Sequence, residues 1–281
     1  MNIGYFQYLP KFLKPRVNLA KIQGLLEKNK SKIKQLDLLV FPEYFLSGPI
    51  KMNFIPEYEK EISSEEIKHY LGKISKKYPK ITFVMGSFLL KINKNYFNTT
   101  LVYKNGEILA QYNKKALIYH ERYVCQSDNK ISTFKVNDFT VGIAICWDLI
   151  LPEIFRKYAK KADLVIIPSF WGLGGNALQA KFSFSLEKKY YASLGVSRAY
   201  ENAFALLFVN SVGRYESPFY SDRMMGGSYF VLPPLGLISK NNDKNPQKLH
   251  IIEFDKKTLQ AYRDFYETDK DYFYYLDKKV I

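Results

Sequence analysis

Leu36-Asp37-Leu38-Leu39-Val40-Phe41 is a short, nearly continuous apolar run that stops at Pro42. It lacks the polar alternation of a half-solvated strand, so it reads as a strand buried on both faces. Proline cannot donate to a ladder and closes it. A strand of this kind needs apolar layers above and below it, the arrangement of α/β proteins.

The remaining periodicity supplies those layers. Asn2–Gln7 reads as the first strand and not as a signal peptide, because no charged segment or small-residue cleavage site accompanies it. A helix is expected from about Pro15 to Lys34, with proline in its first turn and Val17, Ala20, Ile22, Leu25, Leu26 and Ile33 as its apolar stripe. A second helix is expected over Ser64–Lys76, capped by Ser63 or Ser64. Ile81–Leu89 reads as a strand, and Asn105-Gly106 as the turn of a hairpin between Tyr96–Tyr103 and Glu107–Tyr112. A further pair, Thr133–Val136 and Phe139–Ile145, turns at Asn137-Asp138. Then follow a helix from about Pro152 to Lys161, a strand over Leu164–Pro168, a helix over Leu186–Asn202 and a strand over Phe204–Asn210. Tyr229–Leu232, Leu237–Ile238 and His250–Phe254 supply the last strands. Hairpins among alternating helices and strands predict mixed sheets with helices on the outer layers. No linker, low-complexity tract or repeat divides the chain, so residues 1–265 read as one domain and 266–281 as a tail available to an oligomer interface.

Composition narrows the classes of function. With 47 % hydrophobic and 16 % aromatic residues the chain is globular, and no apolar run reaches the length of a membrane span. The net charge of +15 is spread over scattered lysines, such as Lys28, Lys30, Lys32 and Lys34 on one helix and Lys188 and Lys189 elsewhere. Without a nucleic-acid motif this reads as a solvated surface, with neither nucleic acid nor membrane as partner. Two cysteines, Cys125 and Cys146, make no disulfide framework and suit a reducing cytoplasm. The histidines, His69, His120 and His250, form no cluster with metal-ligand spacing, and Gly172-Leu173-Gly174-Gly175 lacks the Lys-Ser/Thr ending of a phosphate loop. No cofactor is expected.

Chemistry in α/β proteins gathers at strand ends. Three such ends carry reactive side chains: Phe41-Pro42-Glu43, Tyr112-Asn113-Lys114, and Ile145-Cys146-Trp147-Asp148. Taken singly each has a plain reading, as a solvated glutamate, a surface lysine or an inert core thiol. Together, in this order, and with Pro152-Glu153, Asn98-Thr99, Arg198-Ala199-Tyr200-Glu201-Asn202 and Gly227-Ser228 around them, they resemble the signature segments of the nitrilase superfamily, the carbon–nitrogen hydrolases. The resemblance runs from residue 1 to about 265. It implies a four-layer α-β-β-α sandwich with two mixed sheets, usually paired into homodimers or larger assemblies. It also implies a triad of Glu43, Lys114 and Cys146, with Glu121 as a second glutamate orienting the lysine and the substrate. Lys115 is the alternative to Lys114, and the histidine usual two places after the lysine is replaced by Ala116.

The implied reaction is hydrolysis of a non-peptide C–N bond in a small amide or N-carbamoyl compound through a thioester. Glu43 would act as the base, and Lys114 with the Trp147 backbone N–H would face the oxyanion. Nitrile hydrolysis, acyl transfer and an idle scaffold are the alternatives on the same residues. A Cys–His pair through His120 is a rival scheme, and an ion pair with Arg122 is the plain reading of Glu121. Cys125 reads as a loop bystander. Trp171 and the stretch to Phe184 are expected either to line the substrate pocket or simply to pack there. Arg198, Arg214 and Arg223 are available to an anionic substrate.

Overall fold

Strands β1 (Asn2–Phe6) and β2 (Leu38–Val40) pair in parallel at the centre of the first sheet. They belong to a computed structural model that describes residues 1–173, 183–242 and 244–268. Alternate residues divide between two apolar layers. Ile3, Tyr5, Leu38 and Val40 join one core, while Phe6, Leu39 and Phe41 join another. The run before Pro42 is therefore buried on both faces because each face has its own core.

β3 (Thr82–Val84) and β4 (Phe88–Ile92) lie end to end along one edge of β5 (Asn95–Lys104), and β6 (Glu107–Asn113) lies along the other. β15 (Leu249–Glu253) closes the far side against β1. The second sheet runs β14 (Gly236–Lys240), β13 (Tyr229–Leu232), β10 (Ala205–Asn210), β9 (Leu164–Ser169), β8 (Phe139–Ile143), β7 (Thr133–Val136). In each sheet three parallel strands (β1, β2 and β3, or β8, β9 and β10) sit between antiparallel neighbours. A hairpin of β11 (Val212–Ser217) and β12 (Tyr220–Met225) stands apart as a third, two-stranded sheet.

Helices α1 (Pro15–Lys28), α2 (Lys30–Ile33), α3 (Ile55–Glu61) and α4 (Ser64–Lys76) cover the outer face of the first sheet. α5 (Pro152–Arg156) and α6 (Phe184–Asn202) cover the second, whose core also takes in Leu259 of α7 (Lys256–Tyr266). This is the four-layer α-β-β-α sandwich, with the inner faces of the two sheets meeting in one core. Among the described residues no helix is long and apolar enough to cross a membrane.

Local chemistry explains where the elements depart from periodicity. The helix expected to reach Lys34 breaks at Asn29, whose side-chain amide donates to the Leu25 carbonyl and competes with the ladder. Its stripe is rotated as well. Val17 and Ala20 face solvent, while Asn18 and Leu19 are buried. Ser63 caps α4 in a reciprocal capping box with Glu66. Asn105 and Gly106 both take positive φ, as the Asn-Gly hairpin turn requires. The strand expected over Ile81–Leu89 is interrupted at Gly86, which has φ +45°. A Cβ there would stand 2.0 Å from the Pro42 carbonyl oxygen, so only glycine lets this loop clasp the turn that carries Glu43. Gly86→Ala is expected to cost about 2–4 kcal/mol from overpacking and left-handed strain, read as a lowered thermal midpoint. An unchanged midpoint would mean that the turn yields freely.

Candidate active site

All three reactive strand ends open on the same side of the sandwich. Glu43 follows β2, Lys114 follows β6, and Cys146 follows β8 after two further residues, so two come from the first sheet and one from the second. Cys146 begins a short 3₁₀ turn (Cys146–Ile150) with φ +44°, a left-handed conformation that a non-glycine residue adopts at a cost. The next amide, Trp147 N–H, has no acceptor within that turn.

Asp148 fixes this turn against the lysine segment. One of its oxygens accepts from Ile145 N–H and Tyr112 Oη at 2.8 Å each, and the other from Ala116 N–H at 2.6 Å and Lys115 N–H at 3.2 Å. A single buried carboxylate thereby ties the end of β8 to the end of β6 across the two sheets.

Lys114 is 1 % exposed and stands between two carboxylates, while Lys115 is not buried. Its Nζ donates to Glu43 Oε1 at 2.8 Å and lies 2.9 Å from Glu121 Oε2 and 3.0 Å from Oε1. Asn98 on β5 donates through Nδ2 to both carboxylates, at 2.8 Å to Glu43 and 2.9 Å to Glu121. Glu43 Oε2 accepts from Phe170 N–H at 2.9 Å. Glu121 also accepts from Tyr44 Oη and, at 2.9 Å, from Ile118 N–H. Each charge is therefore compensated inside the protein, the condition for burying it. Glu121 pairs with Lys114 and not with Arg122, whose guanidinium donates to the Leu117 carbonyl.

The two carboxyls are driven apart in acidity. Burial raises Glu43, and the neighbouring Glu121 adds to this against the pull of Lys114. Burial acts on Glu121 in the same sense, but Lys114 and the hydrogen bonds from Tyr44 and Ile118 N–H outweigh it and hold this carboxyl below its usual range. Burial would neutralise Lys114, yet Glu121 and Glu43 keep its pKa well above the ordinary lysine value. Cys146 and Glu43 line the same cavity, and burial together with that carboxylate pushes the Cys146 thiol well above the ordinary range. The resting thiol is thus protonated, with a carboxylate of raised pKa beside it.

These groups line a cavity of about 120 Å³ together with Trp147, Phe170, Trp171 and His120. The Trp147 and Trp171 rings pack 5.2 Å apart, and the Trp171 indole donates to Glu187. Trp171 thus lines the cavity, while residues 174–182 of the stretch after it lie outside the described residues. His120 is on the wall, where burial lowers its pKa, and no hydrogen bond joins it to Cys146. Cys125 is buried in the helix-side core, paired with Tyr96 in an isolated bridge, and its thiol is pushed up to about 12 by burial. Arg198 pairs with Glu201 and Arg214 with Glu216, away from the cavity walls. Among the described residues no group of three His, Cys, Asp or Glu side chains is arranged to hold a metal ion.

Four participants had no role assigned from sequence: Tyr44, Asn98, Asp148 and the Phe170 amide. Asn98 and Asp148 stood inside recognisable segments, and the signal for each is a polar side chain where the local pattern buries everything. Tyr44 and an unmarked backbone N–H leave no such trace.

The family model described as carbon–nitrogen hydrolase matches residues 2–264. An (R)-stereoselective amidase from a Pseudomonas species is 25 % identical over 236 residues, covering 84 % of this chain and 79 % of that protein. A probable nitrilase of Schizosaccharomyces pombe is 24 % identical over 277 residues, covering 95 % and 94 %. Among solved structures, a carbon–nitrogen hydrolase from Helicobacter pylori superposes with a TM-score of 0.82 at 21 % identity, covering 96 % of this chain and 94 % of that one.

Proposed function

This chain belongs to the carbon–nitrogen hydrolase family, and from that premise we propose that it hydrolyses a small amide or N-carbamoyl compound with Cys146 as nucleophile. The observation that carries the reading is one buried lysine shared by two carboxylates of opposite tendency, with a thiol against the one whose pKa is raised. Groups pushed apart in this way separate the roles of base and fixed charge.

Glu43 takes the thiol proton as Cys146 Sγ attacks the carbonyl carbon, so no free thiolate need accumulate beforehand. Lys114 Nζ and Trp147 N–H face the oxygen on which charge develops. Glu43 then gives the proton to the departing nitrogen, which leaves as ammonia or an amine, and a thioester remains. A water molecule, deprotonated by Glu43, attacks the thioester carbon. The carboxylic acid departs and the thiol recovers its proton. Glu121 stays ionised throughout and holds Lys114 in place.

The test is alkylation by iodoacetamide followed by intact mass, run beside an ammonia-release assay over short amides, ω-amides and carbamoyl amines. Cys146 is expected to label ahead of Cys125, and Glu43→Gln to slow that labelling by about a hundredfold or more, because the proton acceptor is gone. The acid limb of the pH–rate profile, placed by the raised Glu43 pKa above the usual carboxylate range, should vanish in the same variant. Equal labelling of the two cysteines, unmoved by Glu43→Gln and without ammonia from any compound, would remove the triad and leave an idle scaffold.

A further inference from the structure

A reaction cavity of about 120 Å³ is smaller than the few hundred Å³ usual for a small-molecule site. It does not stand alone. Pro49 and His120 line it on one side and, on the other, a groove of about 510 Å³ walled by Met52, Tyr119, Tyr123, Val124 and Phe219. Tyr119 and Tyr123 are 74 % and 70 % exposed, and their rings meet edge to face at 6.3 Å. Met52 is 55 % exposed, and Phe219 packs edge-on against Phe12. So much aromatic surface gathered in one concavity marks a binding surface. Lys51 lies with its Nζ 4.5 Å from the Phe219 ring centroid, which puts a cation on the same wall and disfavours a tail ending in an ammonium.

We infer that the substrate is a primary amide whose acyl chain ends in an aromatic or similarly bulky apolar group, with the carboxamide at Cys146 and the tail in the Met52–Tyr119–Tyr123–Phe219 groove. The inference rests on the hydrolytic reading above. When the nitrogen leaves as ammonia, only the acyl side carries bulk, and the groove is the apolar concavity that shares walls, Pro49 and His120, with the reaction cavity.

Protection of Cys146 from iodoacetamide tests this without requiring turnover. In a Cys125→Ala background, 3-phenylpropionamide is expected to halve the alkylation rate at about a ten- to hundredfold lower concentration than propionamide, as ring burial implies. Phe219→Ala, and separately Tyr119→Ser combined with Tyr123→Ser, should bring the two concentrations together while leaving protection by propionamide in place. Equal protection by the two amides, or a difference that survives both variants, overturns the inference. A variant that changes the molar mass in light scattering but leaves the protection difference intact also overturns it, and assigns the groove to a second copy of the chain. If protection behaves as expected but neither amide releases ammonia, the groove stands and the hydrolytic reading falls.

Discussion

Cys146→Ala is expected to lower ammonia release by about four to six orders of magnitude, the scale on which loss of a covalent nucleophile acts, while leaving the fold intact. The retained fold follows from the backbone. Alanine and cysteine bear similar strain at φ +44°, and the side chain removed borders a cavity, so little packing is lost. The thermal midpoint should therefore stay close to that of the unaltered protein. Cys125→Ala is the matched control. Its thiol is buried in the other core and held protonated, so its loss should spare activity. Activity surviving in Cys146→Ala and lost in Cys125→Ala would transfer the nucleophile and dismantle the proposed mechanism.

Lys114→Met should do more damage to the molecule as a whole. Removing the shared cation leaves Glu43 and Glu121 buried and facing each other, and breaking a buried ion pair on one side costs about 3–5 kcal/mol. The cost depends on pH, and its sign can be worked out. Without the lysine, burial and mutual repulsion raise the carboxyl pKa values of the folded variant above those of the unfolded chain. Between those values the folded state binds more protons, so its stability grows as pH falls. Urea midpoints should thus show the variant far below the unaltered protein at pH 7.5 and closer to it at pH 5.5. Activity should also fall by at least the hundred- to thousandfold that one oxyanion donor contributes. Stability unchanged at pH 7.5 would mean that the two carboxylates are not held ionised by Lys114.

Much of this is legible in the sequence. The strand ending at Pro42, the Asn105-Gly106 hairpin and the cap at Ser63 are signalled by local chemistry, and the structure has all three. Glu43, Lys114, Cys146 and Glu121 were named from segments far apart in the chain, and they meet in one cavity. What stayed hidden depends on contacts between distant segments. The break at Gly86 exists because Pro42 passes 2.0 Å from where its Cβ would be. α3 and the β11–β12 hairpin carry no strong periodic pattern and are held by docking; α7 is amphipathic in sequence, burying Leu259 and Tyr262, and its Arg263 reaches Asp163 and the Ala203 carbonyl. The helix expected to run to Lys161 ends at Arg156 and gives way to turns.

The two sheets, each with three parallel strands between antiparallel neighbours, present the same kind of edge on the same side of the molecule. Neither edge is complete alone. Glu43 and Lys114 follow strands of one sheet and Cys146 a strand of the other, with Asp148 as the tether between them. Under the proposed mechanism reactivity is therefore a vernier on the alignment of two independently hydrogen-bonded plates. A slip of about 1 Å along their shared seam would leave every ladder intact and still part the reacting atoms, a displacement worth about a hundredfold in rate. In the proposed mechanism the residues that set this alignment extend inward along that seam, to Val40, Val84, Ile143 and Ile166, none of which touches the cavity.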